Sequence, residues 1–201
     1  MAAFLRLRKR GDKRERRIEK REKPIGVELY AAETERERIC TVKKRLIVMV
    51  LSTLVIATAL MIFLFSAQNG AESGDASDRI TRWLLKIFYG GFSDLAAKRQ
   101  SELVRAWSLW VRKAGHFGEF FLLGLFVRLL LHWLPVPYRS PIGFASGALY
   151  AVTDEIHQKY VSGRAAMAGD VLIDSAGVLC GVMLAVLLLF LLRRRKRKAA
   201  E

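Results

Sequence analysis

The chain has 201 residues, enough for one ordinary domain, and is at once apolar (52% hydrophobic) and strongly basic (net charge +15). The apolar and the basic residues lie in different segments, which excludes an evenly mixed water-soluble surface. Cys40 and Cys180 are the two cysteines and have no metal-type spacing, so neither a disulfide framework nor a zinc site is expected.

Residues 5–23 form a dense mixed-charge run ending at Pro24. The run reads as part of a solvated, partly disordered arm over residues 1–45, with a short helix laced by Glu–Arg and Glu–Lys pairs as the alternative. The first apolar run, Leu46–Phe65, has the ~20 residues that cross a ~30 Å hydrocarbon core as a helix. It is too long for a signal-peptide core and begins too late, so it is read as an uncleaved span. The small and polar residues of SAQNGAESGDASD (66–78) then signal a loop.

Between residues 77 and 112, Trp83, Leu84, Ile87 and Phe88 recur at helical spacing, and Val104, Trp107, Trp110 and Val111 do so again. Gly90-Gly91 divides the two halves, and Ser93-Asp94 reads as a start signal for the second. Three of the four tryptophans fall here, which suits short helices lying in the membrane interface; ordinary soluble helices packed on each other are the alternative.

A second apolar run covers Ala114–Leu134 and a fourth Asp170–Leu192. A shorter third, Ser140–Thr153, becomes a span if its helix continues through Asp154, Glu155 and Gln158. The fold class expected is therefore an all-α membrane protein with four transmembrane helices. Its organisation is an arm (1–45), a four-helix membrane domain (46–192, outer loop 66–113) and a basic tail (193–201). Residues 1–45, Arg139 and the tail hold 23 of the 34 Lys and Arg, against 10 in the two opposite loops. The positive-inside rule then puts both termini in the cytoplasm. The basic ends read as anchors on an anionic leaflet, and no nucleic-acid partner is expected.

With that topology the polar residues of the spans converge on the outer face. Lys113, His116 and Glu119 open the second span at i, i+3, i+6. Asp154, Glu155, His157 and Gln158 end the third, and Asp170 and Asp174 open the fourth after a loop carrying Lys159, Tyr160 and Arg164. Asp170, Asp174, Gly177 and Gly181 share one helical stripe, and Gly143, Gly147 and Ala151 lead to Asp154 along another. Five acids face three bases, so the cluster calls for a shared proton, a protonated His116 or a bound cation. Intramembrane ionisable groups mark functional sites by default, although Arg164 clamping Asp170 or Glu155 would serve architecture alone. His132, beside Trp133, reads as interfacial, and Arg128 can snorkel, so neither has a site role.

The segments KAGHFGEFFLLG, YAVTDEIHQKYVSGR and DVLIDSAGVLCG, with FSAQNG closing the first span, resemble the VanZ-like family of bacterial membrane proteins over residues 46–192. The resemblance carries over to Lys113, His116, Glu119, Asp154, Glu155, Gln158, Gly163, Arg164, Asp170 and Gly177. Two positions depart from the family pattern: Met167 stands where Ser is frequent, and Ser162 where Pro is frequent.

The resemblance implies a multi-pass protein of the bacterial cytoplasmic membrane, in contact with the lipid bilayer, that contributes to teicoplanin (glycopeptide) resistance through an outward-facing polar site. The alternative is an intramembrane enzyme acting on a lipid or cell-wall precursor headgroup at the outer leaflet. Its catalytic candidates are Glu119, His116, Asp154, Glu155 and Asp170; Lys113, Gln158, Arg164 and Asp174 are binding candidates. A proton- or cation-coupled carrier is a weaker third reading, since the first two spans carry no matching relay. Nucleophile-elbow, P-loop and His-Glu-x-x-His patterns are missing. No cofactor is indicated, a metal is not expected, and the partners implied are a cell-wall precursor lipid or the glycopeptide itself.

Overall fold

The structure, a computed structural model, describes the backbone of residues 2–165 and 167–199, and the side chains of residue 30, residues 33–165 and residues 167–199. The described residues are all helical, without a strand: α1 (Ala2–Ser66), α2 (Gly70–Phe88), a 3₁₀ turn (Phe92–Asp94), α3 (Ala97–Trp133), α4 (Arg139–Gln158) and α5 (Ala168–Lys198). The chain divides into two compact units, residues 1–47 and 48–201. The first consists of the N-terminal part of α1, in which Thr34 and Thr41 donate to the carbonyls of Tyr30 and Glu37 one turn back. The charge pairs expected within residues 5–23 lie outside the described side chains.

Among the described residues, three helices are long and apolar enough to cross a membrane: Glu33–Ser66 within α1, then Ala97–Trp133 and Ala168–Lys198. Helix α4 has 20 residues, which gives about 30 Å of rise, but its last turn is polar.

Of residues 66–78, read from the sequence as a loop, only 67–69 lie outside a helix. Helix α2 starts at Gly70 behind a capping box, in which the Asn69 side chain accepts from the Glu72 amide and the Glu72 carboxylate accepts from the Asn69 amide. Its small side chains are what let it pack: Ser73, Ser77 and Thr81 are buried, and the hydroxyls of Ser77 and Thr81 satisfy themselves on carbonyls one turn back. Gly91 ends this region in the left-handed conformation (φ 78°). The second half of the outer segment is no separate helix either, because no proline interrupts residues 97–133 and Gly115, Gly118 and Gly124 are accommodated within the helix. It is continuous with the second apolar run, giving a helix of 37 residues.

The second unit is inside-out relative to a water-soluble protein. Leu149 (66%), Leu172 (71%) and Met183 (62%) are exposed, while Gly143, Gly147, Ala151, Asp174, Gly177 and Gly181 are buried. Between helices in lipid, close contact replaces the hydrophobic drive. A Cβ on Gly177 would strike the carbonyl of Phe117, one on Gly181 the carbonyl of Phe121, and one on Gly124 the backbone of Val178. The Gly177–Phe117 and Gly181–Phe121 matches rise together along both sequences, so α3 and α5 run parallel with their backbones touching. Helix α4 is antiparallel to both: Gly143 faces Leu131 and Val182, and Gly147 faces Val178. A cluster of Ile62, Phe120, Leu123, Ala151, Val178 and Val182 fills the centre.

Adding a methyl at Gly181 forces the α3 and α5 backbones apart, an overpacking cost of about 1–3 kcal/mol. Gly181→Ala is expected to lower the thermal midpoint of the detergent-solubilised protein, whereas Gly118→Ala, which points into open space, leaves it unchanged or raised. Equal midpoints for the two variants in a fluorescence melt would refute this packing.

Candidate functional site

The parallel register of α3 and α5 brings the N-terminal end of α5 beside the middle of α3, and antiparallel α4 brings its C-terminal end to the same place. Lys113 of α3 and Asp170 of α5 form an ion pair there, with side chains 37% and 27% exposed. One turn deeper, His116 of α3, Asp154 of α4 and Asp174 of α5 converge, each offering a ligand atom within 4.8 Å of the other two. Asp154 is buried and one of its oxygens accepts from Gln158 Nε2 at 2.9 Å. Asp174 is 1% exposed and its Oδ1 finds no protein partner; nor does His116 Nδ1. Glu155 is also buried: Oε1 accepts from the Met167 amide and Oε2 is left without a partner.

Arg164 does not clamp Asp170 or Glu155. It reaches the open end of α1, donating from Nε to the carbonyl of Gln68 (3.0 Å) and from Nη2 to that of Phe65 (2.9 Å). A helix C-terminus leaves carbonyls unpaired and carries partial negative charge, so a guanidinium is a fitting cap. The pairing with Asp170 falls instead to Lys113, because the helix register sets those two opposite each other. Burial first, and the nearby Arg112 guanidinium next, lower the Arg164 pKa from its usual value; a guanidinium starts so high that it stays a cation. The loop is locked by a turn at Gly163 (φ 74°) and by the Gly70 amide donating to the carbonyl of Ser162. Gly70 and Gly163 touch so closely that a Cβ on Gly70 would collide with the Gly163 backbone.

A cleft of about 180 Å³ opens between the small face of α2 and the polar face of α3. Ser73 and Ser77 form one wall, Arg112, His116 and Glu119 the other, and Arg164 reaches in from the loop. Glu119 thus belongs with His116 and Arg164, and His116 links the cleft to the buried carboxylates. His157 lies apart, stacked on Phe63 with centroids 4.9 Å apart. Arg112 and the α2 wall were missed from the sequence. The signal for the wall was the i, i+4, i+8 stripe of Ser73, Ser77 and Thr81, hidden in a composition that reads as loop.

The trio offers one imidazole nitrogen and two carboxylates, a donor set for a cation or a shared proton. The cleft offers cations at its rim with an acid and an imidazole beneath them, a set suited to holding an anionic headgroup and moving a proton. A model of the VanZ/LLP1 family matches residues 50–191, well over half of the chain, and the chain belongs to that family. No curated protein and no solved structure matches it significantly.

Arg164 holds the Phe65 carbonyl of α1 and the Gln68 carbonyl just beyond it at once, which Lys cannot do with a fork of donors. Arg164→Ala is expected to speed amide hydrogen exchange at Ala67–Glu72 by at least about tenfold, from the loss of ~1.5–3 kcal/mol per charged hydrogen bond. Arg164→Lys restores only part of the protection. Unchanged exchange in Arg164→Ala would show that the cap contributes nothing.

Proposed function

We propose that this member of the VanZ/LLP1 family is a multi-pass protein of the bacterial cytoplasmic membrane whose outward-facing polar site binds the headgroup of an envelope lipid and so contributes to glycopeptide (teicoplanin) resistance. The observation that carries this reading is the cleft itself, with Arg112, His116, Glu119 and Arg164 gathered over buried carboxylates in a helical unit whose outer surface is apolar. In this reading α1, α3, α4 and α5 all cross the bilayer, both termini are cytoplasmic, and α2 lies in the outer interface with Ile80, Trp83 and Ile87 toward lipid. The exposure of those three side chains supports the placement of α2. Arg112, which lines the cleft and is not held by the carbonyls that hold Arg164, suits a phosphate, which it can grip with paired hydrogen bonds.

A second reading makes the same site an enzyme acting on a lipid or cell-wall precursor headgroup. It is favoured by His116 Nδ1 and Asp174 Oδ1, two buried atoms without protein partners and free to exchange a proton.

Cells expressing the wild-type protein are expected to lose glycopeptide resistance on Glu119→Gln or Arg164→Ala at equal membrane levels. Unchanged precursor-lipid species in those cells would favour binding, and altered species the enzyme. Wild-type susceptibility in every variant would overturn the functional reading of the cluster.

The topology has a separate check in a cysteine-free background, since Cys40 and Cys180 are both exposed. Ser162→Cys and Ser101→Cys are expected to label with a membrane-impermeant thiol reagent on intact cells. Labelling only after permeabilisation would invert the orientation.

A further inference from the structure

We infer that His116, Asp154 and Asp174 form a binding site for one divalent transition-metal ion of the Mn²⁺ or Zn²⁺ type. The three residues come from three helices, and their donor atoms lie within 4.8 Å of one another. Ligands about 2.0–2.2 Å from a common ion sit roughly 3–4.4 Å apart, so the trio closes on an ion with sub-ångström shifts of side chains. Asp174 is 99% buried by its 1% exposure, its Oδ1 has no protein partner, and it projects into the trio. A carboxylate so placed needs a charged partner. Lys113 is committed to Asp170 and Arg164 to the carbonyls of Phe65 and Gln68, while Arg112 lines the cleft rather than the trio. Two carboxylates and a neutral imidazole balance a dication in charge, and the mixed oxygen and nitrogen set suits borderline ions rather than Ca²⁺. Gln158 donates to Asp154 and orients it, as an outer hydrogen bond commonly does for a metal ligand.

Three protein ligands leave positions open on the ion. His116 belongs both to the trio and to the cleft wall, so those positions are reached from the cleft, where a phosphate oxygen or a water would complete the coordination. The metal site stands independently of the resistance reading: its test reads bound metal, not susceptibility, so either can fail while the other survives.

The test uses the full chain in detergent, stripped with a chelator and titrated separately with Zn²⁺ and Mn²⁺ by calorimetry, with metal content checked by mass spectrometry. About one ion per chain is expected, with affinity reduced at least about tenfold by Asp174→Asn and by His116→Gln. His157→Gln, which removes a histidine outside the trio, should leave binding unchanged. Binding of either ion that both trio substitutions leave intact would overturn the proposal. So would a wild type that takes up neither ion at about 1 mM, in which case a higher thermal midpoint for Asp174→Asn would mark a proton shared by the two carboxylates instead.

Discussion

Two helix backbones in direct contact set the geometry of everything else in the second unit. Gly177 and Gly181 of α5 lie against the Phe117 and Phe121 carbonyls of α3, and Gly124 returns the contact on Val178. Each of these positions lacks room for a methyl, so the register of α3 against α5 admits no slip. Because the two helices run parallel, fixing that register at the glycines also fixes it one and two turns nearer the N-termini. There it sets Lys113 opposite Asp170 and His116 beside Asp174. The polar site is in this sense a consequence of glycine packing, and its partners were chosen by the backbone before any charge could choose them.

The second consequence concerns how the site is closed. Helix α1 ends at Ser66 beside the polar residues, and its Phe65 carbonyl has only a long bond from the Gln68 amide (3.4 Å), which leaves it short of a donor. Arg164 answers that need, and in doing so ties the loop between α4 and α5 to the end of α1. The same loop packs Gly163 against Gly70, which starts α2. The Asn69 capping box sets where α2 begins, and one arginine and one glycine contact tie that start to the loop between α4 and α5. The Ser77 and Thr81 hydroxyls that α2 turns inward are satisfied within their own helix. The charged groups of the cleft are those of α3 and the loop, and the covering helix adds small side chains.

What could be read from the sequence divides along the same line. Stripes with a helical period were legible, since Gly143, Gly147 and Ala151 form a buried face on α4 and Asp174, Gly177 and Gly181 another on α5. A period needs nothing beyond one helix to be visible. The long apolar runs, and the family itself, were legible for a similar reason, being properties of contiguous residues. Helix α2 was hidden because serine, glycine and alanine mark loops in water but close packing in lipid, and composition alone does not separate the two. The pairing of Lys113 rather than Arg164 with Asp170 was hidden because it depends on a register between helices 57 positions apart in sequence. The His116–Asp154–Asp174 trio was hidden in the same way. A metal motif is recognisable when its ligands share a helix or a turn, and here each comes from a different one.

The charge balance of the buried layer then constrains what the site can be. Asp170 is compensated by Lys113, and Arg164 is spent on α1. Asp154 receives a hydrogen bond from an uncharged amide, and Asp174 Oδ1 receives none. Replacing such a group by a well-packed apolar side chain is often neutral or stabilising, so a cluster of this kind is a poor device for holding a bundle together. The bundle already has its glycine contacts and its apolar centre for that. The compensation that Asp154 and Asp174 lack must come from a proton or a cation, and both are exchangeable. A layer whose charge is completed by an exchangeable species changes state when that species leaves. Since His116 stands between this layer and the cleft, a headgroup arriving beside Glu119 and Arg164 would meet the change directly.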